Sequence, residues 1–76
     1  MTKVFVLITC DYGQENKILE ELSKIDEVLD VNKVEGPYNI LVKIDGETID
    51  TIKEIITLKI KTIDRVRHTL TLKIKS

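Results

Sequence analysis

The chain has 76 residues, of which 12 are basic and 13 acidic, so its formal net charge is −1. This balance argues against direct binding of nucleic acid, because phosphate contacts require an excess of Lys and Arg. Cys10 is the only cysteine, which excludes an internal disulfide and a Cys-x-x-Cys metal site. No apolar run approaches the roughly 20 residues that span a bilayer. We expect one cytoplasmic domain over residues 1–76, with no metal, cofactor or membrane segment.

A strand and a helix open the chain. Residues 3–10 alternate with period two, and both faces are mostly apolar, which predicts a central strand. Residues 14–25 then repeat apolar side chains at helical spacing. The helix follows the break at 11–13, where Asp11 is placed to cap its first turn.

A hairpin occupies the middle of the chain. Residues 26–35 and 39–45 both alternate as strands, and Gly36-Pro37 joins them. Glycine adopts backbone conformations closed to other residues and proline fixes its own φ, so this turn is expected to be tight and rigid. Isoleucines spaced three and four apart predict a second helix, which ends near Thr62.

Residues 65–75 show the most regular alternation in the chain and predict the last strand. We expect one of its faces to carry Val66, His68, Leu70, Leu72 and Ile74. Thr69 and Thr71 then belong to the opposite face.

The element order predicts an α+β fold of the ferredoxin-like type, a βαββαβ sandwich with both helices on one face of a four-stranded antiparallel sheet. The other face of the sheet has no cover. We expect this open face to carry Phe5, Leu7, Leu41, Thr69 and Thr71. Such a surface is too apolar for open water, and a homodimer packed sheet against sheet is the simplest arrangement that covers it.

The sequence contains no recognisable enzyme motif. His68 is the only histidine and has no Ser or Cys partner close in sequence, so a core or interface position is favoured over catalysis. Cys10 is interpreted as a small buried side chain rather than a nucleophile. We therefore predict no catalytic residues and no enzyme activity.

Two segments carry groups that can hold a small zwitterion. Backbone N–H groups of Gly36, Tyr38 and Asn39 can bind a carboxylate at the hairpin turn. The hydroxyls of Thr69 and Thr71 can accept from an ammonium group or donate to a carboxylate. An ordinary hairpin turn and two threonines of high strand propensity explain the same residues.

The chain resembles the effector-binding half of the Lrp/AsnC family of feast/famine regulators, a module called the RAM domain. Three segments carry the resemblance: the opening strand Val4-Phe5-Val6-Leu7-Ile8 with a Gly13-led helix, the hairpin Val34-Glu35-Gly36-Pro37-Tyr38-Asn39-Ile40-Leu41-Val42-Lys43, and Ile63-Asp64-Arg65-Val66-Arg67-His68-Thr69-Leu70-Thr71-Leu72 near the end. Together they cover essentially the whole chain. The family's DNA-binding helix-turn-helix domain has no counterpart in these 76 residues.

The resemblance implies a ligand site and an assembly. In the family, dimers form through the sheets and associate into rings, and an amino acid binds between neighbouring dimers. Carried over by position, the ligand-binding residues are Gly36, Tyr38, Asn39, Ile40, Thr69, Leu70 and Thr71. The family commonly has aspartate where Asn39 stands, which leaves the identity of the ligand open.

Two functions follow from the resemblance, and a third follows from the strand order alone. The first is a stand-alone RAM domain that binds a small effector amino acid and modulates transcription by assembling with full-length Lrp/AsnC regulators. The second is an assembly partner whose ligand site is vestigial. The third is an ACT-like regulatory module, which has the same strand order.

Overall fold

A computed structural model of the protein describes residues 2–73. The elements are β1 (Thr2–Cys10), α1 (Glu15–Ser23), β2 (Val28–Lys33), β3 (Ile40–Gly46), α2 (Ile49–Ile55), a π-helical continuation of α2 (Ile56–Ile60) and β4 (Val66–Lys73). This order confirms the predicted βαββαβ arrangement. Of the predicted last strand, Ile74 and Lys75 lie outside the described residues.

The four strands form one antiparallel sheet in the order β2-β3-β1-β4. The central position of β1 is as predicted. Both helices pack on the same sheet face, because their apolar side chains share one cluster with those of β1 and β3. The buried members from the two strands are Val4, Val6, Ile8, Ile40, Val42 and Ile44.

The second helix changes from α to π geometry after Ile55. Thr48 caps its start, with Oγ1 accepting from the Thr51 N–H at 3.1 Å, and the Lys61 N–H reaches back five residues to the Ile56 carbonyl at 2.8 Å. In an α-helix of 3.6 residues per turn, side chains four residues apart point in gradually different directions. A π turn contains more residues, so it brings such side chains back to the same side of the helix. Ile52, Ile56 and Ile60 therefore all stay buried against the sheet.

The predicted faces of β4 are wrong because a β-bulge interrupts the alternation. Thr9 pairs with His68 but Cys10 pairs with Val66, so Arg67 is an extra residue in β4. Beyond the bulge the pairing shows which side each residue takes. Thr69 and Thr71 lie opposite the core residues Ile8 and Val6, on the helix side of the sheet.

The open sheet face is consequently more apolar than predicted. Leu70 lies opposite Leu7, and Leu72 lies opposite Phe5. Leu41, which pairs with Leu7 from the other side, completes the patch. Leu70 and Leu72 remain 41% and 46% exposed. We define the open sheet face by these five residues: Phe5, Leu7, Leu41, Leu70 and Leu72.

Contrary to the prediction, Asp11 does not cap α1. The helix begins at Glu15 after Gln14, and no side chain caps it. The Asp11 carboxylate instead lies against two arginines that precede and form the bulge in β4. Hydrogen bonds from the two charged guanidinium groups are stronger than those from the N–H groups of a helix that starts four residues away, so the carboxylate binds the arginines.

Gly46 lies where α2 packs closest to the end of β3. A Cβ at this position would approach Cγ1 of Ile52 to 2.7 Å. Ile52 is fully buried, so it has little room to move. We expect Gly46→Ala to lower the free energy of unfolding by about 1–3 kcal/mol, as overpacked cores do, in a urea denaturation experiment.

Gly13→Ala separates the two costs that an added Cβ can have. At Gly13 the φ of +82° strains an alanine but no atom lies within 4 Å of its Cβ, whereas Gly46 has no positive φ, so any loss at Gly46 comes from the contact with Ile52. If Gly46→Ala unfolded at the same urea concentration as the wild type, the close approach of α2 to β3 would be contradicted.

Candidate functional site

The hairpin between β2 and β3 is attached to the end of β1 by Asn39. The Asn39 N–H donates to the Ile8 carbonyl at 2.9 Å, and its side-chain Oδ1 accepts from the Cys10 N–H at 2.9 Å. Its carbonyl accepts from the Val34 N–H across the turn, also at 2.9 Å. Asn39 thereby fixes the position of the loop relative to the sheet.

The other predicted hairpin residues differ in accessibility. Gly36 is exposed and has a φ of +115°, a conformation that favours glycine. Tyr38 is half-buried beside it. The side chain of Ile40 is fully buried in the core, so any ligand contact made by Ile40 would have to involve its backbone. The ligand role of these residues stays a prediction.

Thr69 and Thr71 line a shallow groove between β4 and the second helix, which we call the β4 groove. Its walls are Lys53, Ile56, Thr57, Lys61, Thr69 and Thr71. Its volume of about 280 Å³ is close to the lower limit of about 300 Å³ typical of ligand pockets. The groove continues into a second depression of about 260 Å³ that shares Lys61 and Thr69 and includes the bulge residue Arg67.

Leu70 is separated from its two neighbours in the predicted site. It points to the open sheet face, opposite Leu7, whereas Thr69 and Thr71 point into the β4 groove. The seven predicted residues therefore fall into a hairpin group, a groove group and one residue on the open sheet face.

The hairpin group and the groove group lie at the same end of the sheet but on either side of β1. Ile8 pairs with Ile40 on one side and with Thr69 on the other. Ile40 and Thr69 are thus two strand spacings apart, roughly 10 Å. Within one subunit, β1 stands between the two groups.

Asp11 holds the bulge of β4 in place. The Arg67 guanidinium donates to it through two nitrogens, from Nε to Oδ1 at 2.6 Å and from Nη2 to Oδ2 at 2.8 Å, and Arg65 Nη1 donates to Oδ2 at 3.4 Å. Arg65 has a positive φ of 75°, uncommon for a residue with a side chain, and its carbonyl accepts from the Asp11 N–H at 3.1 Å. These contacts surround the bulge, after which each β4 residue faces the side opposite to the one that unbroken alternation from Val66 predicts.

Cys10 and His68 lie near this site without forming a catalytic pair. Burial, followed by the negative charges of Glu15 and Asp11, raises the pKa of the Cys10 thiol, which disfavours the thiolate that a nucleophile requires. Cys10 packs against the core, in line with its interpretation as a small apolar side chain. The bulge places His68 opposite Thr9, where it is exposed, and not on the side of the half-buried Val66.

Between residues 2 and 73, no group of three or more His, Cys, Asp or Glu side chains is close enough to hold a metal ion. None of the helices in the same part of the chain is long and apolar enough to cross a membrane.

The interpretation of the sequence missed Lys53 and Lys61, which form one wall of the β4 groove. Together with Thr57 they recur every four residues, a spacing that places them on one side of a helix. That periodicity was available in the sequence. Their proximity to Thr69 and Thr71 was not, because it depends on the bulge at Arg67.

The model of the Lrp/AsnC ligand binding domain matches residues 3–74 of the chain. The chain therefore belongs to the Lrp/AsnC family, and the predicted resemblance is confirmed. The family comprises regulatory ligand-binding domains of transcription regulators and is not an enzyme family. Its members bind amino acid effectors and form oligomers. Among curated proteins, none matches the chain in sequence.

Solved structures share the fold over nearly the whole chain. The crystal structure of FFRP-DM1 is 28% identical with a TM-score of 0.93, and the match covers 99% of this chain and 100% of that one. Escherichia coli AsnC is also 28% identical with a TM-score of 0.93, but the match covers 99% of this chain and 51% of AsnC. The regulator NMB0573 of Neisseria meningitidis, solved as a complex with L-Met, is 10% identical over 99% of this chain and 50% of its own, with a TM-score of 0.88, and shows the fold alone.

The pKa of the Asp11 carboxyl is lowered mainly by its hydrogen bond with Arg67. We expect an NMR titration to place it below the ordinary value of about 3.9 and Arg67→Gln to raise it toward that value. Because the folded-state pKa is below the unfolded one, the stability that this contact contributes is present above about pH 4 and is lost as the pH falls through the folded pKa.

Lys59→Gln serves as the control, because it removes an ion pair with Glu27 on another part of the surface. An Asp11 pKa that is the same in the wild type and in Arg67→Gln would show that the two side chains do not interact in solution.

Proposed function

We propose that the chain is a non-enzymatic sensor that binds a small effector amino acid between copies of itself. We further propose that it modulates transcription indirectly, by assembling with full-length Lrp/AsnC regulators. Family membership supports a ligand of this kind. The observation that carries the proposal is the position of β1, which keeps the hairpin group and the β4 groove apart within one subunit.

A site shared between subunits resolves this separation. The hairpin of one copy can approach the β4 groove of another without either group moving within its own sheet. A groove of about 280 Å³ is small for a complete pocket, and a second copy would close it. Gly36, Tyr38, Asn39 and the backbone of Ile40 would then contact the ligand from one side. Thr69, Thr71 and the backbone of Leu70, whose side chain points to the open sheet face, would contact it from the other subunit.

The open sheet face supports the first step of the assembly. Its five side chains are aligned across three adjacent strands, and contiguous exposed apolar patches mark interaction surfaces. Two copies packed through this face would bury Leu70 and Leu72. Further association of such dimers into a ring would bring hairpins and grooves of different dimers together.

Assembly with a longer regulator would use the same surface. The match to Escherichia coli AsnC spans 99% of this chain but only 51% of AsnC, with a TM-score of 0.93. A regulator with this domain would present a sheet of the same shape, so mixed dimers need no new type of interface.

A second function, assembly without ligand binding, has one observation in its favour. The Oδ1 atom of Asn39 is already engaged with the Cys10 N–H, so Asn39 has a structural role that needs no ligand. Under this alternative, association with regulators would be indifferent to amino acids.

We expect Leu70→Asp to dissociate the homodimer, because it places a charge at the centre of the apolar interface. Sedimentation velocity at micromolar concentration measures the effect. Leu58→Asp is the matched control, since Leu58 is 68% exposed on the second helix, away from the open sheet face. Equal dissociation of both variants, or of neither, would contradict the assignment of the interface.

We expect at least one of the twenty amino acids to bind the wild-type protein in a calorimetric titration. Thr69→Val keeps the shape of the side chain but removes one hydrogen-bonding hydroxyl, so it should weaken binding about fivefold. Thr62→Val makes the same change outside the β4 groove and should leave the affinity unchanged. Binding of none of the twenty would contradict a sensor function and favour the assembly partner.

A further inference from the structure

The charged side chains that line the β4 groove are all basic. Lys53 and Lys61 stand on its helical wall, and no carboxylate lines it. Neither lysine belongs to an ion pair among residues 2–73, where the ion pairs involve Lys24, Lys59, Arg65 and Arg67. The groove therefore presents two ammonium groups without counter-ions.

Polar groups on both walls surround these charges. Thr57 lies between the lysines at four-residue spacing, and the π-helical turn keeps all three side chains on the side facing β4. Thr69 and Thr71 face them from the strand. Three hydroxyls and two ammonium groups form a donor-rich lining that suits carboxylate oxygens.

The hairpin group is also rich in donors. Oδ1 of Asn39 accepts from the Cys10 N–H, so the Nδ2 amino group is the part of this side chain that is left to donate to a ligand. Within the described residues, Nδ2 has no acceptor, and neither do the backbone N–H groups of Gly36 and Tyr38. No carboxylate belongs to this group of residues, apart from the exposed Glu35 next to it in sequence.

From these two surfaces we propose that the effector is a dicarboxylate of amino-acid size, recognised by Lys53 and Lys61. A neutral amino acid is a zwitterion, and its single carboxylate can satisfy only part of the donor set. A ligand with two carboxylates matches both lysines and the hairpin donors at once. This inference rests on the proposed sensor function and specifies its ligand; the chemistry fits both an acidic amino acid and the corresponding 2-oxo acid.

The test compares ligands of equal size that differ by one charge. Calorimetry on the complete chain at fixed ionic strength measures L-glutamate against L-glutamine and L-aspartate against L-asparagine. We expect at least one acidic member to bind roughly tenfold or more tightly than its amide, because hydrogen bonds to charged groups are the stronger ones. A parallel titration with 2-oxoglutarate tells whether the ammonium group is needed.

Lysine variants locate the recognition. Lys53→Gln and Lys61→Gln should each weaken binding of the preferred dicarboxylate about tenfold and change binding of its amide little. Lys24→Gln removes the same charge just after the end of α1, outside the groove, and should leave both affinities unchanged. Circular dichroism of each variant verifies that it folds.

The outcomes separate this inference from the proposed function. An amide that binds as tightly as its acid would overturn the dicarboxylate and leave the amino-acid sensor intact. A preference for the acid that survives both lysine changes would overturn the role of the β4 groove. Binding of 2-oxoglutarate without any amino acid would support the dicarboxylate and contradict an amino-acid effector, and absence of all binding would contradict the sensor itself.

Discussion

The ion pair between Asp11 and Arg67 is the contact on which the arrangement of the functional surfaces depends. Arg67 is the extra residue of a β-bulge, and a one-residue change in register moves every later side chain of a strand to the other face. The Asp11 carboxylate holds Arg67 through two nitrogens, and the strained backbone of Arg65 accepts the Asp11 N–H. A loop next to β1 thus decides which side chains β4 presents on each side of the sheet.

Two surfaces of different chemistry result from this register. Leu70 and Leu72 join the leucines and phenylalanine of the neighbouring strands on the open sheet face, which suits a second copy of the chain. Thr69 and Thr71 face the second helix. Its residues Lys53, Thr57 and Lys61 are four apart in sequence, and the π turn keeps them on the same side of the helix. One strand in this way serves both the proposed subunit contact and the proposed ligand groove.

The sequence predicted the parts of the fold that depend on regular periodicity. β1 and β3 follow a period of two without interruption, so the fold class was confirmed and Phe5, Leu7 and Leu41 lie on the open sheet face as predicted. The faces of β4 were predicted wrongly because the alternation continues unbroken in the sequence, whereas the bulge lies where Arg67 contacts Asp11, over 50 residues away in the chain. The same contact explains why Asp11 is not a helix cap. The hairpin residues were identified by family resemblance, whereas the lysines of the groove required the packing of the second helix on β4.

An intermolecular NOE experiment on a mixture of isotope-labelled and unlabelled protein tests most directly the claim that β4 turns its leucines toward a second copy and its threonines toward the groove. We expect intermolecular NOEs from the methyl groups of Leu7, Leu70 and Leu72 and, within each subunit, NOEs from the Thr71 methyl group to Thr57 or Ile56. Intermolecular NOEs from Thr69 and Thr71 without any from the leucines would show that β4 turns its threonines, and not its leucines, toward the second copy. The absence of all intermolecular NOEs at high protein concentration would contradict the dimer.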